Sequence, residues 1–193
     1  MLRQELRLTA YEQVCKGPEP DGIAQSVLQE AAVCELLKQH PHPNIASYLG
    51  CQVSDGRITG LCFAGYPHTL MQEVNPQNHM KRKARSEFRD RNTDRKDYRI
   101  ALAGVERGLK HLHSLGLVHN DINPRKIMLN ADDGVITGFG SCRRLGESLK
   151  GVSRGHEWHD EQVKTALPQN DLDALEEIRR WLGDDSKPFQ FAE

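Results

Sequence analysis

No C-x-x-C pair, no long apolar run and no excess of either charge occurs in the 193-residue sequence. The five cysteines are odd in number and widely spaced, so neither a disulfide framework nor a zinc knuckle is favoured. We expect them to be reduced thiols. The 26 basic and 27 acidic side chains give a net charge of -1, so no global field attracts nucleic acid or anionic lipid.

The sequence also shows no pattern that is typical of a signal peptide or of a membrane-spanning segment. The apolar runs are far shorter than the roughly 18–20 residues that span a bilayer, and no basic, apolar and small-residue order opens the sequence. We therefore expect a cytoplasmic or nuclear protein without a signal peptide or a membrane partner. His156 and His159 lie three residues apart, but no second histidine pair follows nearby, so we expect no metal site there.

Apolar periodicity in the first half predicts one helix among strands. Residues 23–39 repeat apolar side chains at three- and four-residue spacing, which predicts an amphipathic helix that ends at His-Pro-His-Pro. Residues 45–53 and 57–66 are rich in strand formers and flank a Ser-Asp-Gly turn, which predicts a hairpin. Residues 6–15 predict one more strand.

The second half alternates helices with short strands. Residues 98–115 predict a helix that Gly116 caps at its C-terminal end, and residues 172–182 predict a last helix. Between them, short apolar runs on either side of a polar loop predict a hairpin that presents side chains at a cleft. These runs lie at 117–118, 127–129 and 135–136.

A basic segment separates the two halves. From Lys81 to Arg99 the chain carries nine basic and four acidic residues, a local charge of about +5. We expect a solvated loop or an exposed helix. A functional basic patch is the alternative, but acidic residues interleave and only Phe88 and Tyr98 offer bases a stacking surface.

Two motifs in the second half carry a family resemblance. Residues 117–124 read Leu-Val-His-Asn-Asp-Ile-Asn-Pro, and residues 135–140 read Val-Ile-Thr-Gly-Phe-Gly. This order resembles the protein kinase core, in which an H-R-D-L-x-x-x-N loop precedes a D-F-G triplet. The resemblance makes Asp121 the base that accepts the substrate hydroxyl proton, and it places Asn123 where Ser/Thr kinases usually carry a lysine near the γ-phosphate.

Further landmarks fall in the order that the resemblance implies. Glu30 is the candidate for the glutamate of the αC helix, and Lys16 for the lysine that positions the phosphates. Asp171 resembles the aspartate of the buried αF helix, which steadies the catalytic loop. The resemblance gives a packing role in the hydrophobic spine to three residues, His119, Phe139 and Cys34.

We therefore expect an α+β, two-lobed, protein-kinase-like fold. The expected divisions are a reduced N-terminal lobe at 1–66, a hinge with a charged connecting segment at 67–97, and a clipped, mainly helical C-terminal lobe at 98–193. The fifteen residues before Lys16 contain no glycine, so the glycine-rich loop of the family is not matched. Eleven residues follow Leu182, too few for the later helices of the larger lobe.

Both side-chain metal ligands of the family are replaced. Lys126 stands at the position of the asparagine ligand, and Gly138 stands at that of the aspartate of the triplet. An ammonium has three donors and no acceptor, so it cannot coordinate a cation. We expect no Mg²⁺ at this site. ATP stays open as a ligand, because Lys126 is able to bind phosphate oxygens directly as a point charge.

The function that the resemblance implies is that of a pseudokinase. It would act as a binding or regulatory scaffold for a protein partner, and efficient Mg·ATP phosphotransfer would be lost. Two alternatives stay open. One is a weakly active Ser/Thr protein kinase that uses Asp121 as its base. The other is a binder of nucleic acid or of an acidic partner through the basic segment, with nucleic acid the less expected of these two ligands.

Overall fold

The computed structural model describes residues 2–5, 22–91, 97–183 and 188–191, and its elements form a strand-rich first part and a mainly helical second part. The first part contains β1 (Leu2–Glu5), α1 (Gly22–Gln39), β2 (Tyr48–Ser54) and β3 (Arg57–Phe63). The second part contains β4 (His68–Thr69), α2 (Leu70–Val74), α3 (Lys81–Arg91), α4 (Arg99–Ser114), β5 (Leu117–Val118), β6 (Ile127–Asn130), β7 (Asp133–Ile136), a 3-10 turn (Phe139–Ser141), β8 (Arg143–Arg144) and α5 (Pro168–Leu182).

The first part is an antiparallel sheet, in the order β1-β3-β2, with α1 against it. The predicted hairpin is confirmed as β2 and β3. Its turn residues Asp55 and Gly56 have φ angles of 51° and 73°, the positive pair that two-residue hairpins favour because it follows the twist of the strands. The strand predicted at 6–15 lies outside the described residues, and the strand that pairs with the other edge of β3 is β1, at residues 2–5.

Helix α4 forms the centre of the second part. Its apolar stripe, which includes Leu102, Val105, Leu109 and Leu112, is fully buried or nearly so. A Cβ at Gly108 would lie 2.8 Å from the backbone oxygen of Asn44, so a glycine lets the chain after α1 pack directly on this helix. The predicted C-terminal cap is confirmed.

The hairpin predicted across the polar loop is wrong, because β6 pairs with β7 through a turn at Ala131 and Asp132. Strand β5 does not join this hairpin but pairs with β8. The polar residues 119–126 between β5 and β6 are therefore held at both ends by paired strands, and they face the turn at Phe139–Ser141.

Helix α3 departs from the expectation of a solvated segment. Lys81, Ala84 and Phe88 are buried on one side of it, and Lys81 lies against α5. The Lys81 Nζ is 2.7 Å from Oε1 of Glu177, and both side chains are fully buried. The charge pattern concealed this contact because Lys81 begins a run of basic residues in which the next two, Arg82 and Lys83, are exposed.

Among the described residues, no helix is both long enough and apolar enough to cross a bilayer.

Replacing Lys81 with alanine tests the importance of the buried ion pair. Lys81→Ala should lower the free energy of unfolding by about 3–5 kcal/mol, because it leaves the Glu177 carboxylate buried without its cation. Urea unfolding of both variants and the wild type gives this difference. Lys83→Ala is the control on the same helix, and it should change the free energy by less than about 0.5 kcal/mol since Lys83 pairs at the surface with Glu87. Equal effects of the two substitutions would contradict this account.

Candidate functional site

The catalytic-loop residues are positioned by Asp171. Helix α5 begins with Pro168 at its N-terminal end, which places Asp171 in the first turn. The Asp171 carboxylate is fully buried. Its Oδ1 accepts the backbone N–H of Asn120 at 2.7 Å, and its Oδ2 accepts that of His119 at 2.9 Å. His113 Nε2 also lies 2.9 Å from Oδ2. The predicted partnership between this aspartate and the loop is thus present in the geometry.

His119 is a buried, neutral histidine. Its Nδ1 accepts the N–H of Asp121 at 3.3 Å, which assigns the ring proton to Nε2, and Nε2 donates to the Thr137 oxygen at 3.2 Å. Burial lowers the pKa of His119. The edge of its ring meets Phe139 at 5.8 Å between centroids. These contacts fit the packing role that the resemblance gave to His119 and Phe139.

Cys34 lies in the same core, on α1. Its side chain is fully buried, and burial raises the pKa of the thiol far above its usual range. The Phe63 ring is 6.4 Å from that of Phe139, so the core runs without a break from the first sheet to the turn after β7.

The Asp121 carboxylate is largely occupied by its neighbours. Its Oδ1 accepts the Asn123 side-chain amide at 2.9 Å and the Gly155 backbone N–H at 2.6 Å. Its Oδ2 lies 3.6 Å from Lys126 Nζ. Only 9% of Asp121 is exposed. A substrate hydroxyl that approached this carboxylate would compete with the Gly155 amide, which the sequence did not indicate as a site residue.

Lys126 fills the space in front of Gly138. Gly138 is left-handed, with φ 74° and ψ 70°, and a Cβ built on it would lie 2.7 Å from the Lys126 Nζ and 2.8 Å from its Cδ. The Lys126 side chain therefore occupies the volume into which a side chain at position 138 would project. The positive charge beside Asp121 is therefore the Lys126 ammonium, in a place where the resemblance would put a metal ion.

This arrangement does not fit magnesium. Mg²⁺ requires oxygen ligands, and the two positions at which the resemblance places them hold an ammonium and no side chain. Among the described residues, no three His, Cys, Asp or Glu side chains are grouped so that they could hold a metal ion.

Glu30 faces the same turn from α1. Glu30 as a whole residue is 8% exposed, and its Oε2 would lie 3.2 Å from a Cβ built on Gly140. Glycine at 140 lets the acidic side chain approach the turn. Lys16 lies outside the described residues, so its predicted pairing with Glu30 stays a prediction.

The comparisons with known proteins agree with this geometry. The family model described as the protein kinase domain matches residues 3–163. The mitogen-activated protein kinase kinase kinase nsy-1 of Caenorhabditis elegans is 31% identical over 127 residues, 65% of this chain and 8% of that protein. Protein kinase MCK1 of Saccharomyces cerevisiae is 28% identical over 126 residues, 62% of this chain and 31% of that protein. The chain thus spans less than a third of either relative.

A solved structure resembles the fold. In the yeast RNA Pol II CTD kinase CTDK-1 complex, one chain aligns with a TM-score of 0.64 at 15% identity, covering 91% of this chain and 55% of that one. Since the family model matches most of the residues, the chain belongs to the protein kinase family. Its fold is the reduced two-lobed, α+β form that the sequence predicted.

Substitution of Gly138 tests the contact with Lys126. Gly138→Ala should lower the free energy of unfolding by roughly 1–3 kcal/mol, because it combines backbone strain with displacement of the lysine. Gly146→Ala is the matched control, since Gly146 has a similar φ of 86° but open space around its Cβ. Urea unfolding should show a larger loss at 138. In a Lys126→Ala background the two glycine substitutions should cost about the same, and an unchanged difference would contradict the contact.

The buried histidine predicts acid sensitivity. The pKa values of His119, His42 and His159 are lowered in the folded protein, chiefly by burial. The unfolded chain therefore binds protons first, so stability is present above pH ~6.5 and is lost as the pH falls below it, by up to about 1.4 kcal/mol per pH unit for the fully buried His119. The partly exposed His42 and His159 contribute less, because water screens their charge.

Urea unfolding at pH 7.5 and 5.5 measures this loss. His119→Gln should reduce the pH dependence, whereas a substitution at His156, whose side chain is exposed, should leave it unchanged. A protein that gains stability on acidification would refute the assignment.

Proposed function

We propose that this protein is a pseudokinase, a scaffold that binds a protein partner and does not carry out efficient Mg·ATP phosphotransfer. The observation that supports the proposal is the position of Lys126. Its ammonium lies 3.6 Å from Asp121 and fills the space in front of Gly138.

The chemistry of phosphoryl transfer gives this position its importance. The reaction is driven by positioning and by neutralisation of phosphate charge, and the family relies on magnesium for much of that neutralisation. A single ammonium already paired with a carboxylate would supply less positive charge to the phosphates than a divalent ion would, and it cannot take their oxygens as metal ligands. Asp121, held by Asn123 and Gly155, would accept a proton from a substrate hydroxyl, but that hydroxyl would face a phosphate whose charge no metal neutralises.

The basic segment contributes less to function than its charge suggests. The Lys81 ammonium is buried in an ion pair with Glu177, and this pair joins α3 to α5. This favours a structural role for the buried side of the helix over a nucleic-acid interface. A protein partner is the better expectation, and the structural neighbour described as a kinase complex is consistent with it.

Ligand titration followed by thermal unfolding tests the proposal. Wild type should show no Mg²⁺-dependent shift of Tm with ATP, because no ligand set holds the metal. The variant Lys126→Asn/Gly138→Asp places the two family ligands beside Asp121, and it should gain a shift of several degrees with ATP and Mg²⁺ together. Lys126→Asn alone is the control for removal of the ammonium.

Two outcomes would count against a pseudokinase. One is a clear metal-dependent shift in the wild type. The other is transfer of labelled phosphate from ATP to a protein substrate that disappears in Asp121→Asn, since that result would identify the weakly active Ser/Thr kinase instead.

A further inference from the structure

A short segment near the end of the chain lies against helices α3 and α5 in the way that a bound peptide would. Residues 188–191, Pro-Phe-Gln-Phe, contact Lys81, Arg85 and Glu177, and with the neighbouring Trp158 and Trp181 these side chains form what we call the aromatic groove. The groove is formed by α3, by α5 and by the chain just before residue 159. Its members are Lys81, Arg85, Trp158, Glu177 and Trp181.

The groove recognises the backbone of the segment through two buried charges. The Glu177 carboxylate accepts the N–H of Gln190 at 2.8 Å and that of Phe191 at 3.2 Å. Lys81 Nζ donates to the Phe191 oxygen at 3.2 Å. Its other two donors go to Glu177 at 2.7 Å and to the Glu157 oxygen at 2.9 Å, so all three are used. Backbone bonds of this kind do not depend on the identity of the side chains.

The two phenylalanines supply the side-chain specificity. The Phe189 ring lies under two cations, with Lys81 Nζ 4.5 Å and Arg85 Cζ 4.9 Å from its centroid. Phe191 is only 9% exposed. Gln190 between them is exposed, so the middle position carries no requirement beyond its backbone N–H.

The groove also adjoins the catalytic loop. Gln190 and Phe191 line a small cleft of about 60 Å³ together with Asn120 and Arg154. What occupies the aromatic groove therefore forms one wall of a cleft that reaches the loop residue beside Asp121.

We propose that the aromatic groove is a binding site for peptides of the sequence aromatic-x-aromatic, and that residues 189–191 occupy it as a tethered ligand. The recognition set uses backbone groups and two rings, which a separate chain presents equally well. Only five residues, 183–187, lie between the end of α5 and Pro188, so the bound segment competes at an effective concentration of about the millimolar range. A separate peptide gains access when the tethered segment is weakened.

Energy transfer from tryptophan to a dansyl-labelled peptide tests the proposal. The sequence has two tryptophans, Trp158 and Trp181, and both belong to the groove, so transfer reports binding at this place. The probe is the heptapeptide Lys-Pro-Phe-Gln-Phe-Ala-Glu. The full chain with Phe189→Ala/Phe191→Ala should bind it at least tenfold more tightly than wild type does.

Two matched controls define the specificity. Gln190→Ala in the chain should leave the wild-type affinity unchanged, because this side chain is exposed. A probe with alanine in place of both phenylalanines should give no saturable transfer with any variant, whereas alanine in place of the glutamine should be tolerated. Equal affinity of the double variant and wild type, or saturable binding of the probe without phenylalanine, would overturn the proposal.

A second variant covers the case in which the double substitution prevents folding. Gln190→Pro keeps both rings but removes the N–H that Glu177 accepts, so it should also raise the affinity for the probe. Wild type gives a third measurement, since millimolar probe should produce saturable transfer. If neither Gln190→Pro nor wild type shows saturable transfer, a peptide site is likewise refuted.

Discussion

The buried carboxylate of Asp171 is the contact on which the site depends. It accepts the backbone N–H groups of His119 and Asn120, and these two bonds set the direction in which the following residues leave β5. A fully buried carboxylate is costly unless its oxygens are satisfied, so the loop and α5 hold each other in place. Asp121 takes its position from this frame. The geometry of a kinase loop is therefore maintained by contacts that need no nucleotide.

On this frame the charges differ from those that the motifs of the kinase family place around the loop aspartate. The cleft side of Asp121 faces the Lys126 ammonium, and the Gly155 amide binds its other oxygen. The positive charge thus comes from the chain itself, and its side chain fills the volume in front of Gly138. The packing of the site does not depend on its metal ligands. His119 still packs against Phe139, although Lys126 and Gly138 stand where the family has its two side-chain metal ligands.

Much of the site could be predicted from sequence because its residues are close along the chain. The loop from His119 to Lys126 and the turn at Gly138 form two short motifs, and local pattern placed both on the correct elements. Gly155 escaped prediction, since a backbone N–H has no sequence signature and reaches Asp121 only through tertiary folding. The Lys81–Glu177 pair escaped for the same reason, because 96 residues separate its partners and both resemble ordinary surface charges.

Anomalous diffraction from crystals soaked with Mn²⁺ and a non-hydrolysable ATP analogue shows whether a divalent metal binds at Asp121. Mn²⁺ binds the same hard oxygen ligands as Mg²⁺, and its anomalous scattering shows directly where the metal lies. We expect Lys126 Nζ to stay beside Asp121 and no anomalous peak to lie within ligand distance of that carboxylate. A peak bound to Asp121, with Lys126 displaced from the front of Gly138, would contradict it.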